Sequence, residues 1–488
     1  MASRPSASSR TLCCSPPPQP ALAWALAAEV HFHIPLIPPG CDDSEPVNNR
    51  ELQRPGKMGN AKSLSSQKMG SKFLPEEQAE SHVKEALPPV MVTRLYKGMW
   101  RVKAIHKAQG GKRNVSREQF TVFLSHLLKG SFEEKGRMVM KMILTAEGPV
   151  TARDVQKFTE ELVTSVVHVL THRHELRGWT GRKSTVSPIS VHAMAAQLLS
   201  EMKFQGKYGH KFRGPQCLDQ VCDQAVIEDW VFHVPHVGLF LSVVIHRGLC
   251  LLNSSVDLST LVPERHVDKG QPFESILDVL PVIYLNSHLA TDQQHRWRLL
   301  FSTQLHGQSF SQLCSRITHQ GPCLVVLEDR DGYVFGGFAS RSWEVKPQFQ
   351  GDNKCFLFSI TPSMATYTYT GYNDHFMYLN HGQQTMPNGL GMGGQHHYFG
   401  LWVAADFGKG HSKAKPTCTT YNSPQLSAQE DFQFDKMEVW GLGDVLETCL
   451  VKNKKSILDS DPAAQSLLEI SGRTRHSEGL REVPEEDD

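Results

Sequence analysis

Between residues 83 and 262 the apolar positions recur every three to four residues, the period of a helix with one buried face. In SREQFTVFLSHLLKG, Phe120, Phe123, Leu124, Leu127 and Leu128 fall on one side of such a helix. Ser116 and Gln119 occupy capping-box positions ahead of it, and Gly130 predicts a left-handed stop. A second helix begins at TARD, with Thr151 and Asp154 in box positions and Val155, Phe158, Leu162, Val166 and Val169 as its apolar face. VHAMAAQLLSEM (191–202) predicts another amphipathic helix. IEDWVFHVPHVGLFLSVVI (227–245) is apolar almost all round, so it predicts a buried element whose first part Pro235 kinks or ends.

From residue 273 to 443 the period changes to two. CLVVLEDRDGYVFGGFAS reads as strand, Asp-Gly turn, strand, and therefore as an antiparallel hairpin. CFLFSI (355–360), ATYTYT (365–370), YFGLWVAADF (398–407) and FDKMEVWGL (434–442) predict further strands. One helix interrupts them, SFSQLCSRIT, with Phe310, Leu313, Cys314 and Ile317 on a face. The fold class is α+β: a helical region, then an antiparallel β-sandwich with helical decoration.

The helical region carries a finer pattern. Val115 and Val150 each precede a helix and lie 35 residues apart, near the interval of paired EF-hand loops. With each valine in the eighth place, the first loop offers Ala108, Gly110 and Lys112 as leading ligands, Arg113 where glycine is needed, and Gln119 last. The second offers Ile143, Thr145 and Glu147, then Gly148 correctly placed and Asp154 last. Calcium requires several oxygen ligands and a bidentate carboxylate, so neither loop is competent. The expectation is an EF-hand-like scaffold without a metal, set against the plain alternative of two unrelated helices.

Composition narrows the function classes. Lys+Arg number 51 and Asp+Glu 50 in 488 residues, so no global basic field suits nucleic acid. The acidic tail VPEEDD reads as the one local charge run. Eleven cysteines without a CxxC pair suggest ordinary buried thiols in a reducing compartment. VGLFLSVVIHRGLCLL (237–252) is the nearest approach to a membrane span, but His246 and Arg247 break it and it reads as core.

A search for catalytic chemistry gives no constellation. GLGMGG (389–394) matches the dinucleotide pattern but lacks a strand before it and a helix after it, so a glycine-rich loop for tight packing is expected. HRHELRG (172–178) has Gly178 where a zincin needs its second histidine, and no G-x-S-x-G elbow occurs. His396 and His397 read as polar residues at a strand edge rather than ligands. No catalytic residue, metal site or cofactor is assigned.

Residues 58–63, MGNAKS, have the grammar of an N-myristoylation start, although Gly59 is internal in this chain. Acylation requires initiation at Met58. Lys62, Lys68 and Lys72 follow with no acid before Glu76, so lipid and lysines would form a two-signal anchor on an anionic membrane surface. The alternative is a polar Ser/Lys linker. Residues 1–57, with PPPQP, a Cys-Cys pair and the short apolar run ALAWALAA, read as a disordered or alternative extension rather than a signal peptide.

The ordered set LEDRDGYVFGGFAS, SWEVKP, CFLFSI, HYFGLWVAADFGKGHS, CTTYNSPQL and FDKMEVWGL resembles the TLDc-domain family. Matching signature positions include Gly336, Gly337, Trp343, Gly400, Trp402, Glu438 and Trp440. The resemblance implies a division into an extension (1–57), a lipidation motif and basic linker (58–75), a degenerate EF-hand-like region (76–180), a helical domain (181–272), the TLDc domain (273–443) and a C-terminal helix with acidic tail (444–488). It implies a non-enzymatic adaptor on the cytoplasmic face of the lysosomal membrane, with a cytoplasmic pool. Its implied partners are the vacuolar proton ATPase and mTOR signalling components. The rival is an enzyme or oxidation-defence activity in the TLDc domain. Within AAQSLLEI, Ala464, Leu467 and Leu468 have the spacing of a partner-binding helix or of a cap on the domain.

Overall fold

The computed structural model describes residues 85–103, 115–145, 148–179, 187–204, 211–212, 214–249, 258–267 and 273–444. Gly59, Lys62, Lys68, Lys72, Ala464, Leu467 and Leu468 lie outside the described residues.

Four helices form two helix–loop–helix units: α1 (Pro89–Trp100) with α2 (Arg117–Lys129), and α3 (Phe132–Ile143) with α4 (Ala152–His172). The capping boxes at Ser116/Gln119 and Thr151/Asp154 are both formed, and a third stands at Ser131/Glu134. Each ties two otherwise orphaned backbone N–H groups to a side chain. The predicted faces are buried, with only Leu128 half-covered. Gly130 differs from expectation. Its φ of −67° is extended rather than left-handed. A Cβ there would strike the His126 carbonyl, so the glycine serves close approach instead.

Val115 and Val150 are both buried before their helices. In a paired EF-hand these loops bridge each other. Here the second loop pairs elsewhere: Thr151 bridges Val221, and the Cys222 N–H donates to the Val150 carbonyl at 2.8 Å. Then come α5 (Pro188–Ser200), α6 (Gln224–His233) and α7 (Pro235–Val243). Pro235 ends α6 as expected, and the chain bends by 85° at the break. Among the described residues no single helix is long and apolar enough to cross a membrane.

The β-rich half holds two sheets. One runs β1 (Glu264–His266), β2 (Arg296–Ser302), β12 (Asp431–Leu442), β3 (Cys323–Asp329), β4 (Val334–Ala339), β6 (Phe356–Thr361) and β7 (Ala365–Thr368). The other runs β5 (Lys346–Gln350), β8 (Met377–Asn380), β9 (Gly389–Gln395), β10 (Tyr398–Ala404) and β11 (Lys409–His411). β12 joins them, pairing through residues 431–433 with β11 and through its later residues with β3 and β2. Every named strand pairing is antiparallel except that of β1 with β2. The helix α8 (Val279–Asn286) precedes β2, while the short α9 (Thr303–His306) and α10 (Phe310–Ile317) follow it. The architecture is an α+β fold whose β-half is an antiparallel sandwich.

The side-chain period of a strand fixes the layering. On β3, Val325 and Leu327 enter the core between the sheets, while Leu324 and Val326 face the helical half. On β6, Leu357 points inward and Phe356, Phe358 and Ile360 point to the helices. The first sheet is therefore apolar on both faces, as a sheet covered on both sides must be. The order is helices, first sheet, second sheet, with one continuous core joining the helices to the first sheet.

Candidate functional site

The signature residues separate into three environments. Gly337, Gly400 and Trp343 belong to the sandwich interior, while Gly336 lies on the helix-facing side of β4. A Cβ on Gly336 would strike the Val325 carbonyl and the Phe358 ring; on Gly337 it would meet the Met392 sulfur, and on Gly400 the Cys418 sulfur. These glycines let neighbouring strands and side chains close up, which is a packing role. Trp343 is fully buried, and its Nε1–H donates to the Cys323 sulfur at 3.1 Å.

Glu438 and Trp440 sit in the seam between the first sheet and the helical half. Glu438 is buried and accepts three hydrogen bonds: from Ser275 Oγ at 2.7 Å, the Ile276 N–H at 2.6 Å and Trp440 Nε1 at 2.9 Å. Burial pushes its carboxyl above the ordinary range, and these donors and Arg265 work against that shift. The Arg265 guanidinium lies over Phe273, Trp179 and Trp440, at 5.2, 5.7 and 5.8 Å from the ring centroids. Trp179 packs on Trp440 at 5.0 Å and on Trp297 at 5.5 Å. The donors Ser275, Ile276 and Trp440 all belong to the β-rich half, so the acid is consumed in fixing the segment before α8 to β12, with the Arg265 cation nearby.

Trp402 alone among these residues lies on the outer face of the second sheet. It is 7% exposed. Phe399 stacks on it at 4.6 Å, His411 lies parallel at 5.9 Å, and Tyr378 tilts against it at 6.1 Å. The seat is made by β9: a Cβ on Gly389 would enter the Trp402 ring, and one on Gly391 would meet both Phe399 and Trp402. GLGMGG is thus a strand and not the expected loop. Leu390 and Met392 face the core, while the alternate glycines leave a slot for rings from β10. The expected alternation along β10 fails at one place. Phe399 shares the outer face with Trp402, opposite the left-handed Gly393 and Gly394 of β9, where φ is +71° and +82°.

Around this cluster stand Phe349 stacked on His375 at 4.0 Å, and His396 at 5.1 Å from both Phe349 and Tyr378. Burial pulls the His411 imidazole down to about 4, with Lys413 adding to the effect and Asp431 opposing it. Burial and the neighbouring His375 and His397 lower His396 as well. His396 is therefore a ring in an aromatic cluster, whereas His397 is exposed at the β9–β10 turn. Tyr398 beside it is 61% exposed.

Among the described residues no group of three or more His, Cys, Asp or Glu could hold a metal ion. The described cysteines are free and buried, and burial pushes Cys222 and Cys323 up to about 12 and Cys314 to about 11. A shallow groove of about 330 Å³ between α3 and the α6–α7 bend is lined by Phe132, Lys135, Val231, Phe232 and Leu239. It offers apolar surface and one ammonium.

The sandwich, its glycine-seated Trp402 and the Glu438–Trp440 seam coincide with a match to the TLDc domain model over residues 272–443. The chain belongs to the TLDc-domain proteins, in the branch of the MTOR-associated protein MEAK7. It is 75% identical over 457 residues to that protein from Mus musculus, covering 88% of this chain and 100% of the relative. To the Homo sapiens protein of the same name it is 65% identical over 458 residues, again covering 88% and 100%. The Nuclear receptor coactivator 7 of Mus musculus is 31% identical over 172 residues, which cover 35% of this chain and 17% of the relative. The helical half is thus shared with the first two, and the last likeness is about the length of the TLDc domain.

Proposed function

We propose that this chain is a non-enzymatic adaptor on the cytoplasmic face of the lysosomal membrane, with a cytoplasmic pool, that binds the vacuolar proton ATPase and supports mTOR signalling. The observation that carries the reading is its likeness, over the whole length of the relatives, to proteins named as mTOR-associated. The chemistry of the interior supports it. Glu438 is committed to its three donors Ser275, Ile276 and Trp440. An oxidation-defence enzyme would need an accessible, acidic thiol, and burial makes Cys222, Cys314 and Cys323 weaker acids. In this reading Gly59 is acylated in forms that start at Met58, and Lys62, Lys68 and Lys72 add attraction to the anionic leaflet. Ala464, Leu467 and Leu468 present a helix face to a partner.

The experiment is fractionation of cells expressing the Met58-start form, wild type against Gly59→Ala, with mTOR kinase output measured in parallel. The expected result is transfer of the variant from lysosomes to cytosol with reduced output. Equal lysosomal recovery of the two forms contradicts the anchor.

A further inference from the structure

The sequence from Ala86 to Arg117 contains no Asp or Glu but eight Lys or Arg residues, in a chain whose net charge is only +1. The cations are separated by apolar residues, so they do not stand out as a tract. Several of the described ones are brought together by the fold. The turn after α1 is fixed on its neighbours: Arg101 Nη1 donates to the Lys141 carbonyl at 2.6 Å, and Gln119 Nε2 donates to the Trp100 and Val102 carbonyls at 3.1 and 2.7 Å. This places Arg101 and Lys103 beside Arg137 and Lys141 of α3. Arg94, one helical turn back from Lys97, is neutralised by Glu161 at 2.8 Å. Among the described residues none of Lys97, Arg101, Lys103, Arg137 or Lys141 lies within 4.0 Å of a carboxylate. Their mutual effect is visible in Lys141, lowered first by burial and then by Lys103, Arg137 and Arg101.

Trp100 ends α1 beside this basic group and is 50% exposed. Cations beside an exposed tryptophan match the boundary of an anionic bilayer, where phosphate and carboxylate groups meet acyl chains. We infer that the face formed by Lys97, Trp100, Arg101, Lys103, Arg137 and Lys141 is a docking surface for an anionic lipid membrane. The inference rests on the proposed membrane location but not on acylation. It adds a contact that would orient the helical half toward the bilayer. An acidic protein segment would also satisfy the charges. The lipid is favoured because Trp100 adds an apolar contact, and because the chain leading into α1 carries Lys62, Lys68 and Lys72.

The test uses the full, unacylated chain and sedimentation with vesicles of phosphatidylcholine alone or with phosphatidylserine. Each cation near an anionic leaflet is worth about fivefold in partitioning. Binding to the phosphatidylserine vesicles is expected, with little to neutral ones, and loss in high salt. The triple variant Lys97→Glu, Lys103→Glu, Lys141→Glu should weaken binding by about a hundredfold or more, and Trp100→Ala by less. Its melting curve, measured beside wild type, confirms that it folds. A Lys62/Lys68/Lys72→Ala variant should lose less binding than the triple charge reversal, and Lys354→Glu on the β-half should keep all of it. Full binding by the folded triple variant overturns the proposal, as does loss in the linker variant alone. Binding of a peptide of residues 478–488 at this face, with no lipid binding, would assign it to an acidic protein segment and overturn the lipid assignment. None of these outcomes depends on Gly59, so failure here is distinct from failure of the anchor.

Discussion

Trp402 shows what a single side chain contributes in this fold. Its indole is stacked on Phe399, flanked by His411 and seated on two glycines, so truncation leaves a cavity that those glycines cannot fill. Trp402→Ala should cost about 3 kcal/mol or more and lower the domain's melting midpoint by roughly 10 °C. A thermal melt checks it; an unchanged midpoint would mean that the ring serves binding rather than packing. His411 beside it supplies a pH dependence. Its folded pKa of about 4 lies below the ordinary value of 6.5, so the fold favours the neutral ring. The contribution is present in full above about pH 6.5 and is lost as the unfolded ring gains its proton, between 6.5 and 4. His375, His396, His397, Lys413, Glu430 and Asp431 share this environment, so a cationic ring there meets both repulsion and attraction. Wild type should melt progressively lower from pH 7 to 4.5, and His411→Gln should show a shallower decline. Parallel curves for the two proteins would remove His411 from the account.

At the scale of elements, what was legible in the sequence was what local chemistry decides. The capped helices announce themselves because Ser116, Thr151 and their box partners lie three residues apart along the chain. The β3–β4 hairpin did so through Asp331-Gly332, with Gly332 at φ +83°. β9 was not legible, because glycine has no β-propensity of its own; the strand exists to accommodate rings carried by β10, a cause that lies outside its sequence. The role of Glu438 was equally hidden, since its donors Ser275 and Ile276 come from 163 and 162 residues earlier and only the fold brings them close. The basic face was missed for a similar reason: α1 and α3 assemble it from spaced residues. The helix–loop–helix pairs also yield a prediction. The second loop keeps the left-handed Gly148 at φ +148° but has Ile143, buried, in its first ligand place. Titration of the full chain with calcium in a calorimeter should give no binding heat at micromolar calcium. One ion bound per chain at that level would contradict the assignment.

For the whole molecule, the helical half and the first sheet share one apolar core, and a second core lies between the two sheets. The basic face with Trp100 belongs to the helical half, and the aromatic face with Tyr398 to the far side of the second sheet. Two such surfaces suit a protein that holds one partner while resting on another. The proposed partner of this scaffold is the vacuolar proton ATPase. The most direct measurement is co-migration of the purified, folded chain with the purified ATPase on a sizing column, with a melting curve confirming the fold. The chain should elute with the ATPase at a fixed ratio. A folded chain that elutes only at its own size, at concentrations well above those in the cell, would contradict it.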